Sequence, residues 1–591
     1  MAMLSASGIK GSADAYAPLL DPDEIAATDD GRNLFTRVWL SREGACGVKS
    51  LVVAHFGYAR ELLSDGNIYG RMEAGQFSMQ AGGDDFKAGV VGIELKCNEH
   101  LELEAVLLDR DSTMSGRMES LRKLMGLVRS GKIAPPAGIQ ESNNHIHTWA
   151  SFSPYSPAAA AWASYLNGLE VTGKIDHDTV AGNFEFLEAA RICDTKATSG
   201  MELRTNASDD NFLKNLVWNY PGMPNVIYFL AHAIPGNRHR EFQREIADGI
   251  MEAKDSRNRV MMEGGAFFGL YGGRKQVIRS DGVNGLLGEV CLQFRVDYEK
   301  IKIGYDRDIV PLTFREGDNK RNTGNATDRH LMIALARKIN ASVPGERKAD
   351  FVEALFGRAL TEKEKTKLSN EEDFKDVLRD GLLKPKDKAP NSVLIKPDER
   401  ECSSIREVSA KIKKLGGIPV YAYLGDKTCD EDNNLEEIVK YLAKNGVEGI
   451  AIMPHRNTPE QIRRVSELAE KYDLLIISGV DINRAEQPLI HHRATAAEYP
   501  GFRVAANAMI GHERLSLFGD CGFCSGAIGD FMPKKRERLA FLSEVGRLKG
   551  FTGGTLDILR GKKPEDVLKL VSEGIKALGN GAKLEDIELG L

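Results

Sequence analysis

The chain has few cysteines, and their spacing excludes a structural zinc site built from thiolates. Eight cysteines are scattered over 591 residues, and only Cys521 and Cys524 form a CxxC pair. A structural zinc of this kind needs a second such pair at a suitable distance, and the sequence has none. The glycine-rich flanks do not fit the strand-to-helix context of a thioredoxin-like redox site. Dilute thiols in a long chain are typical of the reducing cytoplasm.

The sequence also lacks a basic excess, a long apolar run and a secretory signal. Its formal net charge is −6, whereas proteins that bind nucleic acid carry excess cations that neutralise phosphates. No apolar run approaches the roughly 20 residues of a membrane-spanning helix. Residues 1–20 show no basic start followed by an apolar stretch, as a signal peptide would. We therefore expect a cytoplasmic protein with neither membrane nor nucleic acid as a partner; whether it forms a homo-oligomer stays open.

What is present is ordinary globular composition in a chain long enough for several domains. Hydrophobic residues make up 42% and charged residues 28%, which is typical of a soluble enzyme. Alternating apolar and polar residues predict strands in the first part of the chain. These predicted strands cover 35–40, 49–54, 89–96 and 101–108. We expect a β-rich accessory domain over residues 1–135, ended by a helix over 112–129.

His145 and His147 are the strongest signal of chemistry in the sequence. One residue, Ile146, separates them on an extended segment, so their side chains point to the same side. Neutral imidazole is the commonest metal ligand in proteins. The pair therefore predicts a site for a divalent metal at the end of a strand.

Further polar residues follow predicted strands, as they do in a β/α barrel. The carboxyl ends of barrel strands converge on one face, where such enzymes place their active sites. One shared metal site explains these strand ends better than several independent coincidences. The polar residues at the later strand ends are His177, Glu202, His232, His455 and Asp481.

The order of these motifs resembles the PHP (polymerase and histidinol phosphatase) family of metal-dependent phosphoesterases. The resemblance covers residues 140–235 and 405–485, and it implies a distorted β/α barrel formed by 136–235 and 405–530. It also implies a small cluster of metal ions, commonly zinc, manganese or iron. Carried over position by position, the implied metal ligands are His145, His147, His177, Glu202, His232 and Asp481.

The chain departs from the family pattern at three positions and is therefore predicted to be a divergent member. Phe152 and Ser153 stand where an acidic or histidine ligand is usual, and Tyr423 stands where a ligand histidine is expected. Asn483 replaces the histidine of the last motif, although its carbonyl oxygen could still bind a hard metal. We expect fewer metal ions than the family norm.

Two of the histidines have other interpretations. A histidine such as His232, at the end of an apolar run, is taken singly more often a hydrogen-bonded interior residue than a ligand. His455 is a seventh candidate metal ligand, but together with Arg456 it could instead bind an anion of the substrate.

The predicted function is hydrolysis of a small phosphorylated substrate by a metal-activated water. Asp178 could orient a ligand histidine, and Arg204 or Arg456 could hold the phosphate; these three are the candidate catalytic residues. Two alternatives stay open: a metal-poor, inactive binding protein on the same scaffold, and a hydrolase of a non-phosphate bond.

The resemblance stops at residues 236–404, which are predicted to be an insert between the two halves of the barrel. Its glycine-rich segment 264–273 lacks the Gly-Lys-Ser/Thr ending of a Walker loop, so a flexible turn or close-packed loop is expected. Residues 348–388 are predicted to form a small helical subdomain, with a further helix starting at Thr327 or Asp328. Such inserts commonly act as lids or specificity caps. Residues 531–591 are predicted to be a helical segment that packs on the barrel.

Overall fold

A computed structural model describes most of the chain from residue 99 onward. It describes residues 2–5, 36–41, 50–55, 99–317, 321–322, 324–483, 487–491, 493–548 and 553–579. Near the amino terminus, Ala2–Ser5, Thr36–Ser41 and Ser50–His55 pair in a three-stranded sheet. The last two coincide with the strands predicted over 35–40 and 49–54. The strand predicted over 89–96 lies outside the described residues.

The strand predicted over residues 101–108 is wrong, because Glu99–Leu108 forms a helix. The alternation of leucine and glutamate imitates a strand, but both residues are strong helix formers. The helix packs against the next helix, Met114–Arg129. Leu107 is fully buried, and Glu104 accepts a hydrogen bond from the Trp162 indole at 2.9 Å. Tertiary contacts therefore keep the helical form.

The rest of the chain is built around a distorted β/α barrel, as predicted. Seven strands pair in chain order and form a nearly closed sheet. A short strand, Cys402–Ser404, pairs with the third of them. The seven strands are β1 (Ser142–Ile146), β2 (Val171–His177), β3 (Lys196–Asn206), β4 (Ile227–His232), β5 (Ile418–Ala422), β6 (Gly449–Ile452) and β7 (Leu475–Ser478).

Closure and strand direction give this barrel its irregular shape. Backbone hydrogen bonds join His147 N to Ile482 O at 3.3 Å and Ile482 N to His145 O at 3.2 Å, which brings β1 to the segment after β7. Strand β4 runs antiparallel to both of its neighbours, whereas the other pairs in the path are parallel. The carboxyl end of β4 therefore lies at the opposite end of the barrel from the other carboxyl ends.

Amphipathic helices cover the outside of the barrel and begin where the sequence provides caps. Two of these helices are Leu435–Lys444 and Pro459–Lys471. Thr458 and Gln461 form a reciprocal capping box at the start of the second helix, with Pro459 at its first position. This satisfies backbone N–H groups that the helix itself leaves unpaired.

The insert forms a largely helical lobe with its own apolar core. Leu287, Leu335 and Phe351 are fully buried within it. The predicted helix start is confirmed, with Thr327 as the N-cap of Asp328–Ser342. The main helices of the lobe are Asp248–Glu263, Gly282–Phe294, Asp328–Ser342, Gly345–Phe356 and Glu371–Leu382.

The glycine-rich segment of the insert is a β-hairpin rather than the flexible turn or close-packed loop that was predicted. Gly265–Tyr271 pairs antiparallel with Arg274–Ser280. Gly272 and Gly273 have φ values of +59° and +69°, the positive values that a two-residue type I′ turn requires at both positions. The glycines therefore serve the turn.

Carboxyl-terminal helices close the end of the barrel opposite the carboxyl ends of the parallel strands. His512, on the helix Pro500–Ser516, lies 2.7 Å from the Gly416 carbonyl and 3.1 Å from the Ala233 carbonyl. One apolar cluster joins the barrel residue Val420 to Leu542 of the helix Lys535–Arg547. Among the described residues, no helix has the length and apolar character needed to cross a membrane.

Candidate metal centre

The centre is built on the distorted end of β1. The register of β1 against β2 shifts between Asn143 and Ile146, and the Asn143 side chain accepts a hydrogen bond from His145 N at 3.0 Å. His145 and His147 both turn inward, with ring centroids 5.1 Å apart. Both are almost fully buried.

Glu202, on β3, lies between three imidazoles. Its Oε2 is 3.1 Å from His145 Nε2 and 3.8 Å from His147 Nε2. Its Oε1 is 3.1 Å from Nδ1 of His177, at the end of β2. The His147 and His177 rings stack with centroids 4.6 Å apart. One carboxylate thus connects the histidines of two neighbouring strands.

Asp481 follows β7 and completes the cluster on the other side of His147. Its Oδ1 is 3.2 Å from His147 Nε2, and its Oδ2 accepts from Arg456 at 3.2 Å. Ligand atoms of His145, His147 and Asp481 all lie within 4.8 Å of one another. We call His145, His147, His177, Glu202 and Asp481 the metal cluster from here on.

The protonation states of the metal cluster suit a cation. Burial raises the pKa of the Glu202 carboxyl, but the neighbouring histidines outweigh burial and hold that pKa below its ordinary value. Burial opposes ionisation of Asp481 too, yet His147 keeps its pKa well below the ordinary value. Burial and the nearby His177 lower the pKa of His147. Ionised carboxylates beside a neutral imidazole are the forms in which these groups bind metal.

His145 differs from His147 in this respect. Burial alone would lower the pKa of His145, but the hydrogen bond to Glu202 and the charge of Asp481 raise it above the ordinary value. The two carboxylates therefore favour positive charge at this position, whether it comes from a proton or from a metal ion.

A buried relay behind His147 fixes its orientation, and the sequence analysis gave its members no role. The Ser151 hydroxyl donates to Asp176 Oδ1 and lies 3.4 Å from His147 Nδ1. Asp176 also accepts from Thr148 N at 2.7 Å and pairs with Lys174 at 2.7 Å. Because the single serine proton goes to Asp176, the serine oxygen can only accept from His147, so this contact favours the neutral tautomer that carries its proton on Nδ1. The lone pair of Nε2 then faces Glu202 and Asp481.

We expect that replacing Ser151 with alanine weakens metal binding by about 10-fold, within the range known for groups that orient ligand histidines. Titration of the purified variant with Zn²⁺ or Mn²⁺ measures this. Ser156→Ala is the matched control: this buried serine caps the helix Pro157–Leu166. Its loss should lower stability by about 1 kcal/mol without changing metal affinity. Equal metal affinity in both variants would contradict the relay.

Asp178 and Arg204 lie beside the cluster and join it to the insert. Asp178 accepts from Arg204 at 3.0 Å and from Lys254 at 2.7 Å, so its carboxylate binds cations rather than a histidine ring. Arg204 also lies 3.4 Å from Glu401, which binds Arg257 through both oxygens at 2.6 and 2.9 Å. This buried ion network, Asp178, Arg204, Lys254, Arg257 and Glu401, connects β2 and β3 to the helix Asp248–Glu263.

The structure places the two remaining predicted ligands outside the hydrogen-bonded cluster. His232 is at the carboxyl end of the antiparallel β4, deeper in the barrel, and pairs with Ile418, the first residue of β5, rather than with the carboxyl end of a parallel strand. Both of its ring nitrogens are buried without a hydrogen-bond partner among the described residues, and burial lowers its pKa to about 3. His455 lies at the rim, 3.2 Å from the Arg456 guanidinium, and burial lowers its pKa to about 4.

The replaced family positions have distinct environments. Tyr423 is fully buried and donates its hydroxyl to Asp432, away from the metal cluster. Asn483 directs its NH₂ group at Asp481, and its carbonyl oxygen accepts from Arg329 of the insert at 2.6 Å. Phe152 packs against the insert, with the Lys375 ammonium 4.5 Å from its ring. The oxygen that Asn483 could offer to a metal is therefore bound by an arginine.

The insert contributed residues that the sequence analysis missed. A cavity of about 310 Å³ runs between the metal cluster and the insert. Lys254, Arg257, Asn258 and Met261 line it from one face of the helix Asp248–Glu263. Their spacing of three and four residues places them on one side of a helix. The sequence therefore held a usable signal: cationic residues that recur on one face of a predicted helix indicate that this face lines a polar cavity.

Comparisons with known proteins give little support beyond the geometry. No family model matches the chain, and no curated protein matches it. One similar solved structure is a protein of Bifidobacterium adolescentis assigned as a metal-dependent phosphoesterase. The two sequences are 19% identical, the match spans 61% of this chain and 93% of the other chain, and the TM-score is 0.35. Another is an amidohydrolase of Chromobacterium violaceum with bound sulfate and no metal; it is 14% identical, covers 59% and 90%, and has a TM-score of 0.35. At this TM-score neither likeness carries an argument about function.

Proposed function

We propose that the protein is a metal-dependent hydrolase, and more specifically a PHP-like phosphoesterase. One observation supports this most directly. His147 Nε2 faces Asp481 Oδ1 at 3.2 Å and Glu202 Oε2 at 3.8 Å, and all three atoms are acceptors when the neutral imidazole carries its proton on Nδ1, the tautomer that the Ser151 contact favours. Acceptors gathered in a buried site repel one another unless a cation lies between them.

The donor set fits a divalent metal ion. The ion would be held by His145, His147, Glu202 and Asp481. His177 would contact the other oxygen of Glu202. Mixed nitrogen and oxygen ligands without thiolates suit zinc, manganese or iron. A bound divalent ion supplies a Lewis acid that lowers the pKa of a water and draws charge from phosphate oxygens. The chain itself provides the orientation of His147 through Ser151 and Asp176.

Arginines at the cavity wall would hold the anionic group of the substrate. Arg456 lies at Asp481 and is about two-fifths exposed, with a side-chain exposure of 42%. Arg204, on β3, lines the same cavity. Planar guanidinium groups bind phosphate oxygens through paired hydrogen bonds. The insert, which covers the cavity, would exclude bulk water from the reacting group.

Metal analysis and a substrate screen test this proposal together. Protein purified without chelator should contain bound zinc, manganese or iron, and it should hydrolyse generic phosphomonoesters or phosphodiesters once manganese is added. Less than ~0.2 metal ion per chain would contradict a catalytic metal centre. If the protein binds metal and hydrolyses carboxylic esters or amides but no phosphate ester, it is a hydrolase of another bond and not a phosphoesterase.

A metal-poor binding protein is the second candidate, and Asn483 is the observation that favours it. Its amide donates to Asp481 and its oxygen binds Arg329, so this side of Asp481 has no room for a further ligand from the chain. Binding of phosphorylated compounds without metal and without turnover in the same screen would support this candidate.

A further inference from the structure

The two walls of the cavity carry opposite charge. The barrel wall contributes three carboxylates, Asp178, Glu202 and Asp481, and two cations, Arg204 and Arg456. The insert wall contributes one carboxylate, Asp328, against five cations. These insert cations are Lys254, Arg257, Arg329, Arg379 and Lys384. The barrel wall therefore attracts a cation and the insert wall attracts anions.

Internal ion pairs neutralise only part of the insert wall. Lys254 binds Asp178, Arg257 binds Glu401, and the Arg379 Nε group binds Asp328. Arg329 forms no ion pair among the residues that the structure describes. Its NH1 group donates to Asn483 and to the Phe152 carbonyl at 2.6 and 3.3 Å. A guanidinium has five N–H donors, so most of those of Arg329 remain for a ligand.

Lys384 and Arg379 line the cavity together with a pair of stacked tyrosines. The Tyr220 and Tyr228 rings are 4.7 Å apart, and Tyr228 is 6.4 Å from the His177 ring. Burial raises the pKa of both hydroxyls, and the charge of Arg379 partly offsets this rise. Lys384 has a side-chain exposure of 36%, and among the described residues its one ion pair is with an exposed aspartate at 3.6 Å.

We propose that the insert wall is a second anion-binding site, formed by Arg329, Arg379 and Lys384. The substrate would then be a small phosphoester that carries a second anionic group, either a second phosphate or a carboxylate. This inference rests on the proposed phosphoesterase function. It goes beyond that function because one phosphate at the metal cluster leaves Arg329 without a counter-charge and Lys384 with only an exposed carboxylate as its partner. Partly buried cations are stabilised by a bound anion.

Three related probes test the proposal by calorimetric titration at constant ionic strength. Glycerol 3-phosphate and 3-phosphoglycerate share a carbon skeleton, but only the second has a carboxylate; 2,3-bisphosphoglycerate has a further phosphate. We expect the full chain loaded with Mn²⁺ to bind at least one of the two poly-anionic probes about tenfold or more tightly than glycerol 3-phosphate. Which probe binds more tightly identifies the second group.

Variants of the insert wall locate the effect. Lys384→Ala should reduce the preference for the poly-anionic probe over glycerol 3-phosphate to about threefold or less, and Lys384→Glu should abolish it. The affinity for glycerol 3-phosphate itself should change little in both variants. Lys386→Ala is the matched control, because Lys386 is exposed and lies outside the cavity lining. It should keep the full preference. Equal affinities for the three probes in the wild-type protein, or an unchanged preference in both Lys384 variants, would overturn the proposal.

Titrations without metal separate this proposal from the proposed function. If the phosphoesterase assignment is wrong, Mn²⁺ will not change the affinity for glycerol 3-phosphate, while the preference for a second anionic group persists. If the second anion site is wrong, the preference is absent although Mn²⁺ still strengthens phosphate binding.

Discussion

Replacing His147 with alanine is expected to remove bound metal and hydrolysis together. His147 contacts Glu202 and Asp481 through Nε2 and the Ser151 relay through Nδ1, so its loss leaves both carboxylates without their shared partner. We expect metal affinity to fall by at least about 100-fold, beyond the loss caused by groups that only orient a ligand. Metal stoichiometry and melting temperature measured on the same sample give the result.

His512→Ala is the control for this experiment. His512 is as buried as His147, but it contacts backbone carbonyls at the opposite end of the barrel. Its replacement should cost about 0.5–3 kcal/mol of stability and leave the metal content per folded chain unchanged. A folded His147→Ala protein that retains its full metal content would remove His147 from the centre and with it most of the case for a PHP-like site.

The second large effect is expected at Asp178. Asp178→Asn should destabilise the protein by about 3–5 kcal/mol, because it leaves Lys254 buried without its paired anion and Arg204 with Glu401 alone. Asparagine is the appropriate replacement, since Asp178 has a φ of +55° and asparagine tolerates that conformation. Denaturant unfolding at neutral pH measures the loss. Removing the unpaired ammonium as well, in an Asp178→Asn/Lys254→Met variant, should recover part of it.

The effect at Asp178 should depend on pH. Burial opposes its ionisation, but Lys254 and Arg204 hold its pKa below the ordinary value. A depressed carboxyl pKa stabilises the fold above the unfolded-state pKa near 3.9 and loses that contribution as the pH falls towards the native pKa. The difference in free energy of unfolding between the wild type and Asp178→Asn should therefore reach its full value at pH 6–7 and shrink below about pH 4.

Asp194→Asn provides a matched control for both measurements. Asp194 has the same φ of +55° but is exposed, so the substitution tests the backbone conformation without the ion network. We expect a change within about 0.5 kcal/mol. If Asp178→Asn were as mild as this control, the network that joins the barrel to the insert would contribute little to stability.

The placement of the insert gives the metal cluster its context. Arg329 reaches Asn483 next to Asp481, and Lys254 reaches Asp178 beside β3. The insert therefore contacts the cluster's surroundings from two sides. Under the proposed function, we expect changes in the insert to alter substrate choice while the cluster itself remains intact, because loops and lids commonly set specificity.

The sequence by itself determined the elements whose signals are local. The spacing of His145 and His147 requires that both face the same side of an extended segment. Capping residues such as Thr327 and Thr458 set helix starts, because they satisfy backbone groups within one turn. The polar residues at successive strand ends, together with the resemblance to the PHP family, predicted the barrel.

Only the tertiary structure decided features that depend on contacts between distant segments. The antiparallel direction of β4 puts His232 deep in the barrel, since strand direction is fixed by pairing with β3 and β5 rather than by the residues of β4. The helix at Glu99–Leu108 depends on packing that overrides an alternating pattern. The charged wall formed by residues such as Lys254 and Arg329 faces the metal cluster only because the insert folds over it. Local sequence sets which face a side chain occupies, but packing of distant segments decides what that face meets.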